Sequence, residues 1–153
     1  MGDFHQNGII ATLHNLSDRS VEDLEDDLIE FSRHRPMGLV IPSLYSELET
    51  PALENIVSEL SRVPYLNEIV IGLDRADKDQ YRKALAFFGR LPHHVRVLWN
   101  DGPRLRDVDA KLAEKGLSPS EPGKGRNVWF CYGYTLATGR ASTVALHDAD
   151  IKT

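Results

Sequence analysis

Four short runs rich in Val, Ile and Leu, at Gly38 to Ile41, Glu68 to Leu73, His94 to Trp99 and Thr143 to His147, are separated by segments whose apolar residues recur at helical spacing. That alternation leaves few folds open. Strands separated by helices return in parallel, and a parallel sheet needs both faces covered, so its strands read as continuous apolar runs. The expected class is α/β: a mostly parallel sheet with helices on both faces. With 153 residues, 41% of them hydrophobic, and neither an internal repeat nor a low-complexity linker, one domain is expected.

Several helices carry their own boundaries. Thr50 is expected to cap a helix with Pro51 in its first position, and Leu53, Ile56, Val57 and Leu60 form its apolar stripe. Asp77 with Gln80 reads as a capping box before a stripe of Tyr81, Ala84, Leu85 and Phe88, and Gly89 as a left-handed stop. Two further helices are expected over Pro103 to Lys115, closed by Gly116, and over Asn127 to Thr138, stopped by Gly139. Residues 1–35 read as a lead-in: an apolar stretch, Gly8 to Leu13, then a helix opened by Ser20 and Asp23 whose Leu24, Leu28 and Phe31 share a face. The acidic run Glu22 to Asp27 suits a solvated helix start. Residues 36–153 hold the sheet.

A net charge of −5 argues against a general nucleic-acid binder, because neutralising a phosphate backbone requires concentrated Lys and Arg. No apolar run reaches the length of a membrane span, Met1 to Gln6 lack a signal-peptide layout, and the single cysteine, Cys131, excludes an internal disulfide. A cytoplasmic location is the default expectation.

Chemistry concentrates after the fourth strand run, which leads straight into Asp148-Ala-Asp150. Two carboxylates one residue apart at the carboxyl end of a strand can share a hard divalent cation, Mg²⁺ or Mn²⁺. The chain holds thirteen aspartates, and Asp77-Lys-Asp79 and Asp107-Val-Asp109 show the same spacing. Asp77 reads as a helix cap, and Asp107 and Asp109 as a solvated helix face, so context favours Asp148 and Asp150. His147, alternating with Asp148, is expected to point away. A second constellation is Gly123-Lys124-Gly125 just before a helix, where glycines admit an anion to the helix start and Lys124 adds a point charge. It lacks the spacing of a P-loop. The third is Pro42-Ser-Leu-Tyr-Ser-Glu47 after the first strand, where a switch-point crevice could receive a nucleoside.

Taken in order, Ile41-Pro42-Ser43-Leu44 with Glu47, Ile71-Gly72-Leu73-Asp74-Arg75, Pro122-Gly123-Lys124-Gly125 and Asp148-Ala149-Asp150-Ile151 resemble the GT-A glycosyltransferases, in particular the glucosyl-3-phosphoglycerate and mannosylglycerate synthases. The resemblance covers the chain from Gly38 and implies a Rossmann-like nucleotide-binding half-domain, truncated after its Asp-x-Asp motif. It further implies metal-dependent and retaining transfer from UDP-glucose or GDP-mannose to a small phosphorylated or carboxylate acceptor such as 3-phosphoglycerate or glycerate. Pro42, Ser43, Leu44 and Glu47 would surround base and ribose, with Gly72 at the base-facing end of the second strand. Gly123 and Lys124 would meet the diphosphate. Asp148 would approach ribose or metal, and Asp150 would ligate the metal. Tyr45-Ser46 and Gly72-Leu73 depart from the common pattern, which leaves the base undecided between uracil and guanine. The acceptor site is expected beyond residue 153, leaving the chain inactive alone, with an apolar edge or face open to self-association. A non-catalytic sugar-nucleotide-binding module is the alternative; a nucleotidyltransferase is another, although its glycine-rich, arginine-containing loop after the first strand is missing.

Overall fold

The structure, a computed structural model, describes residues 19–119 and 121–151. The apolar stretch Gly8 to Leu13 lies outside them. Helix α1 (Val21–His34) is followed by β1 (Met37–Leu44), α2 (Pro51–Leu60), β2 (Leu66–Asp74), α3 (Lys78–Phe88), β3 (His94–Trp99), α4 (Pro103–Ala113), α5 (Lys124–Thr138) and β4 (Thr143–Leu146). A 3-10 helix over Tyr45–Glu49 links β1 to α2. The sheet order is β3-β2-β1-β4, and every adjacent pair is parallel. The expected α/β class is observed, and β1 and β2 run longer than their apolar runs suggested.

Alternation along each strand sorts the core into two layers. Leu39, Ile41, Ile69, Ile71, Leu73 and Val97 face α2 and α3, where Leu53, Val57, Ala84 and Phe88 complete the larger cluster. Val40 and Val70 point the other way, against Cys131 of α5. Burial pushes the Cys131 thiol up to about 12. Only the thiolate is nucleophilic, so an exposed-thiol reagent at neutral pH should leave the native chain unlabelled and modify one thiol after denaturation. Rapid labelling without denaturant would contradict this packing. The outer side of α5 exposes Trp129, Tyr132 and Leu136, and Leu146 is exposed on the edge strand β4.

Helix ends matched the sequence unevenly. Ser20 caps α1, and Asp77 and Gln80 form the reciprocal box that opens α3. Thr50 occupies the cap position of α2 without capping it: its hydroxyl donates to the Glu47 carbonyl at 2.8 Å. Gly89 is not left-handed, with φ −64°. The chain leaves α3 by a further right-handed turn, and glycine is favoured there because a Cβ would stand 2.9 Å from the Leu85 carbonyl oxygen. Helix α5 begins at Lys124, three residues before its apolar pattern, with Gly123 as its cap at φ 149°, a conformation open essentially to glycine alone.

Proline inside a central strand needs a reason, since it removes a ladder donor. The Val40 carbonyl accepts from His147 N–H at 3.0 Å, so even-numbered residues of β1 turn their backbone groups toward β4. The Pro42 nitrogen therefore faces β4 two residues further on, where that strand has already ended at Leu146. No sheet bond is lost.

Candidate functional site

The strand order changes direction at β1: β2 and β3 lie on one side and β4 on the other. Open α/β sheets bind ligands outside the carboxyl ends of the strands at such a switch point. A cleft of about 230 Å³ opens there, lined by Pro42, Ser43, Leu44 and Glu47 after β1, Asp74 and Arg75 after β2, Gly123, Lys124 and Asn127 at the start of α5, and Asp148, Ala149 and Asp150 after β4. A larger apolar hollow lies between β3, α4 and α5, lined by Trp99, Leu105, Val108 and Tyr134 among others, and does not touch these carboxylates.

All three constellations from the sequence meet in this one cleft. Lys124 Nζ stands 2.5 Å from Asp148 Oδ1, and both side chains remain partly exposed. Asp150 is exposed on the same wall. Glu47 is half-committed to structure, since its Oε2 accepts from Leu44 N–H at 2.8 Å and holds the turn beneath β1. Ser43 is buried, its hydroxyl donating to the Leu44 carbonyl at 3.0 Å. His147 keeps its ring Nδ1 2.8 Å from the Asp148 backbone carbonyl and does not line the cleft. The competing Asp-x-Asp pairs take bland roles. Asp77 caps α3, Asp107 pairs with Lys111, and Asp109 accepts from Ser118.

Gly72 is placed apart from the other candidates. It lies in the interior of β2 between Pro42 and Leu98, covered by α5, and is absent from the cleft wall. A Cβ on it would come 1.7 Å from Asn127 Oδ1 and 2.7 Å from Cys131 Sγ. Its bare backbone lets Asn127, only 3% exposed, donate its side-chain amide to the Gly72 carbonyl at 2.8 Å. This bond anchors the first turns of α5, and with them Gly123 and Lys124, against the sheet.

Three polar lining residues carry no site role in the sequence reading: Asn127, and Asp74 and Arg75, which enter it only within the motif Ile71-Gly72-Leu73-Asp74-Arg75. Asp74 could have been found as the carboxylate ending the second strand run. Nothing local marks Asn127, which reads as an ordinary early-helix residue. Arg75 is the one described non-glycine residue with positive φ, at 54°.

As for a cation, no cluster of three or more His, Cys, Asp or Glu side chains among the described residues could hold one. Two carboxylates on one cleft wall nevertheless suit a hard cation whose remaining ligands are phosphate oxygens and water, the usual arrangement for Mg²⁺. Among the described residues no helix is long and apolar enough to cross a membrane.

No family model matches the chain. It is 46% identical to glucosyl-3-phosphoglycerate synthase of Persephonella marina over 151 residues, which cover 99% of this chain and 38% of that protein. It is 36% identical over 154 residues to the glucosyl-3-phosphoglycerate synthase of Methanococcoides burtonii, covering 99% of this chain and 37% of that one. Among solved structures, it is similar to glucosyl-3-phosphoglycerate synthase of Mycobacterium tuberculosis in complex with Mn²⁺, uridine diphosphate and glucosyl-3-phosphoglycerate, with 21% identity, a TM-score of 0.49, and coverage of 84% of this chain and 38% of that one. The chain thus spans under two fifths of the length of the curated relatives it matches. Along its own length, it is a homologue of part of the glucosyl-3-phosphoglycerate synthases.

Proposed function

We propose that the cleft is the donor site of a metal-dependent glucosyltransferase, taking a nucleoside-diphosphate glucose and serving transfer to 3-phosphoglycerate. The observation that carries this reading is the convergence of Lys124, Asp148 and Asp150 at the switch point, in a chain 46% identical to a glucosyl-3-phosphoglycerate synthase. Both curated relatives are named for glucosyl transfer, so a mannosyl donor has less support.

Breaking a sugar-phosphate bond leaves a nucleoside diphosphate with growing negative charge, which must be stabilised where it develops. A Mg²⁺ or Mn²⁺ held by Asp148 and Asp150 would supply Lewis-acid stabilisation of that leaving group. Lys124 adds the second positive charge. In its resting pair with Asp148 it is poised rather than spent, because a diphosphate offers it a stronger anion and releases Asp148. The unsatisfied N–H groups at the start of α5 point to the same place, and Gly123 and Gly125 place no side chain in the way. Pro42, Ser43 and Leu44 offer a rigid, half-apolar floor for the nucleoside.

Incubation with UDP-glucose or GDP-glucose, Mn²⁺ and 3-phosphoglycerate, followed by mass analysis, separates transfer from binding and hydrolysis. The 153-residue chain is expected to bind donor but to transfer at no measurable rate, because holding the acceptor contributes much of the acceleration and most of the relatives' length lies outside the match. A version extended to the relatives' length should form glucosyl-3-phosphoglycerate. Failure of that longer protein to do so would overturn the assignment.

A further inference from the structure

We propose that His147 is a positioning residue for the acidic pair: its ring holds the peptide after Asp148 so that Asp148 and Asp150 meet a cation on one wall of the cleft. His147 does not line the cleft, so this role, which rests on the donor-site reading, is exercised through the backbone.

Beyond β4 the sheet stops supporting the chain. His147 N–H donates to the Val40 carbonyl at 3.0 Å, and among the described residues no backbone hydrogen bond reaches residues 148–151. Three other contacts hold that stretch. The Ala149 methyl is buried in the larger core cluster, with the residue 2% exposed. Lys124 pairs with the Asp148 carboxylate. The His147 ring nitrogen Nδ1 stands 2.8 Å from the Asp148 carbonyl oxygen. A carbonyl can only accept, so Nδ1 carries the hydrogen and donates it.

These contacts respond differently to a ligand. A diphosphate draws Lys124 away from Asp148, so the charge pair is given up at the moment when both carboxylates must hold still for the metal. The buried methyl fixes where the turn sits, but leaves the rotation of the peptide before it open. The His147 bond sets that rotation, because a trans peptide moves as one plane. With the peptide and Ala149 both fixed, the directions in which Asp148 and Asp150 leave the backbone are fixed too. Ligands that must first be ordered subtract the cost of ordering from affinity, and ligands already in place do not.

Asparagine and glutamine separate a hydrogen bond from bulk. Asparagine places an amide N–H where Nδ1 lies, glutamine where Nε2 lies, and leucine has neither. Binding of UDP and GDP to the native chain, His147→Leu, His147→Asn and His147→Gln is measured by calorimetry with Mn²⁺ and again with chelator, alongside thermal melting. In the native chain Mn²⁺ should strengthen binding. His147→Leu and His147→Gln should each lose about tenfold or more of that gain, with metal-free affinity and melting temperature close to the native values, and His147→Asn should recover most of it. An undiminished gain in His147→Leu would overturn the proposal, as would equal behaviour of His147→Asn and His147→Gln. A loss that appears equally with chelator, or that accompanies a lowered melting temperature, overturns it as well. Each of those results leaves the metal and the donor site in place. Native binding indifferent to Mn²⁺, or no binding of either nucleotide, removes the donor-site reading and this role with it.

Discussion

Asp150→Asn should lower metal-dependent affinity for a nucleoside diphosphate by more than about a hundredfold, roughly 2.7 kcal/mol, because one of two anionic ligands of a hard cation is lost. The side chain is exposed and has no structural partner among the described bonds, so melting should be unchanged. Lys124→Ala removes a partly exposed charge contact and should cost about 1 to 3 kcal/mol, roughly tenfold to a hundredfold. The two variants therefore differ in kind: chelation should erase the difference between native chain and Asp150→Asn, while Lys124→Ala should still bind better with metal than without. Calorimetry giving equal native affinity with and without chelator would remove the metal from the site.

The largest effect on folding is expected at Gly72. The single methyl of Gly72→Ala would sit 1.7 Å from Asn127 Oδ1, 2.7 Å from its Cγ and 2.7 Å from Cys131 Sγ, so α5 must lift or Asn127 must abandon its bond. Overpacking of this kind costs about 1 to 3 kcal/mol, and losing the buried amide contact adds about 1 kcal/mol or more. At roughly 2 to 4 °C per kcal/mol, a fall in melting temperature of about 5 to 15 °C is expected. Ligand binding should weaken too, because the displaced helix carries Lys124. Adding Asn127→Ala should recover part of the stability, since two of the three clashing atoms disappear. A Gly72→Ala chain that melts like the native one would contradict the described packing.

The elements were legible because their signals are periodic. Continuous Val, Ile and Leu marked the strands, and 3.6-residue stripes marked α2 and α3. The carboxylates of Asp148 and Asp150 were legible because an apolar strand runs directly into them. Asn127 was hidden because its role arises from a contact 55 positions away in the chain. The start of α5 was missed because Gly123, Lys124 and Gly125 carry no apolar signal, and the early start is set by backbone geometry at Gly123. Gly72 was assigned to the ligand on its motif, when its lack of a side chain serves the helix lying over it. Gly89 misled in a similar way: a glycine after a helix can answer a crowded carbonyl as well as a left-handed turn.

Pro42 sets a limit on how far two strands can close. Parallel strands tend to zip along their length, and β1 continues four residues past its last partner on β4, from Val40 to Leu44. Had position 42 an N–H group, it could take a carbonyl from the segment after Leu146 and draw Asp148 and Asp150 into the ladder. Their alternating side chains would then be sent to one face of a lengthened sheet, away from its end. An imino nitrogen cannot make that bond, so the zip stops where the acidic loop begins. The gap between the two strands is thus kept open by the covalent chemistry of one residue, whether or not a ligand is there to prop it.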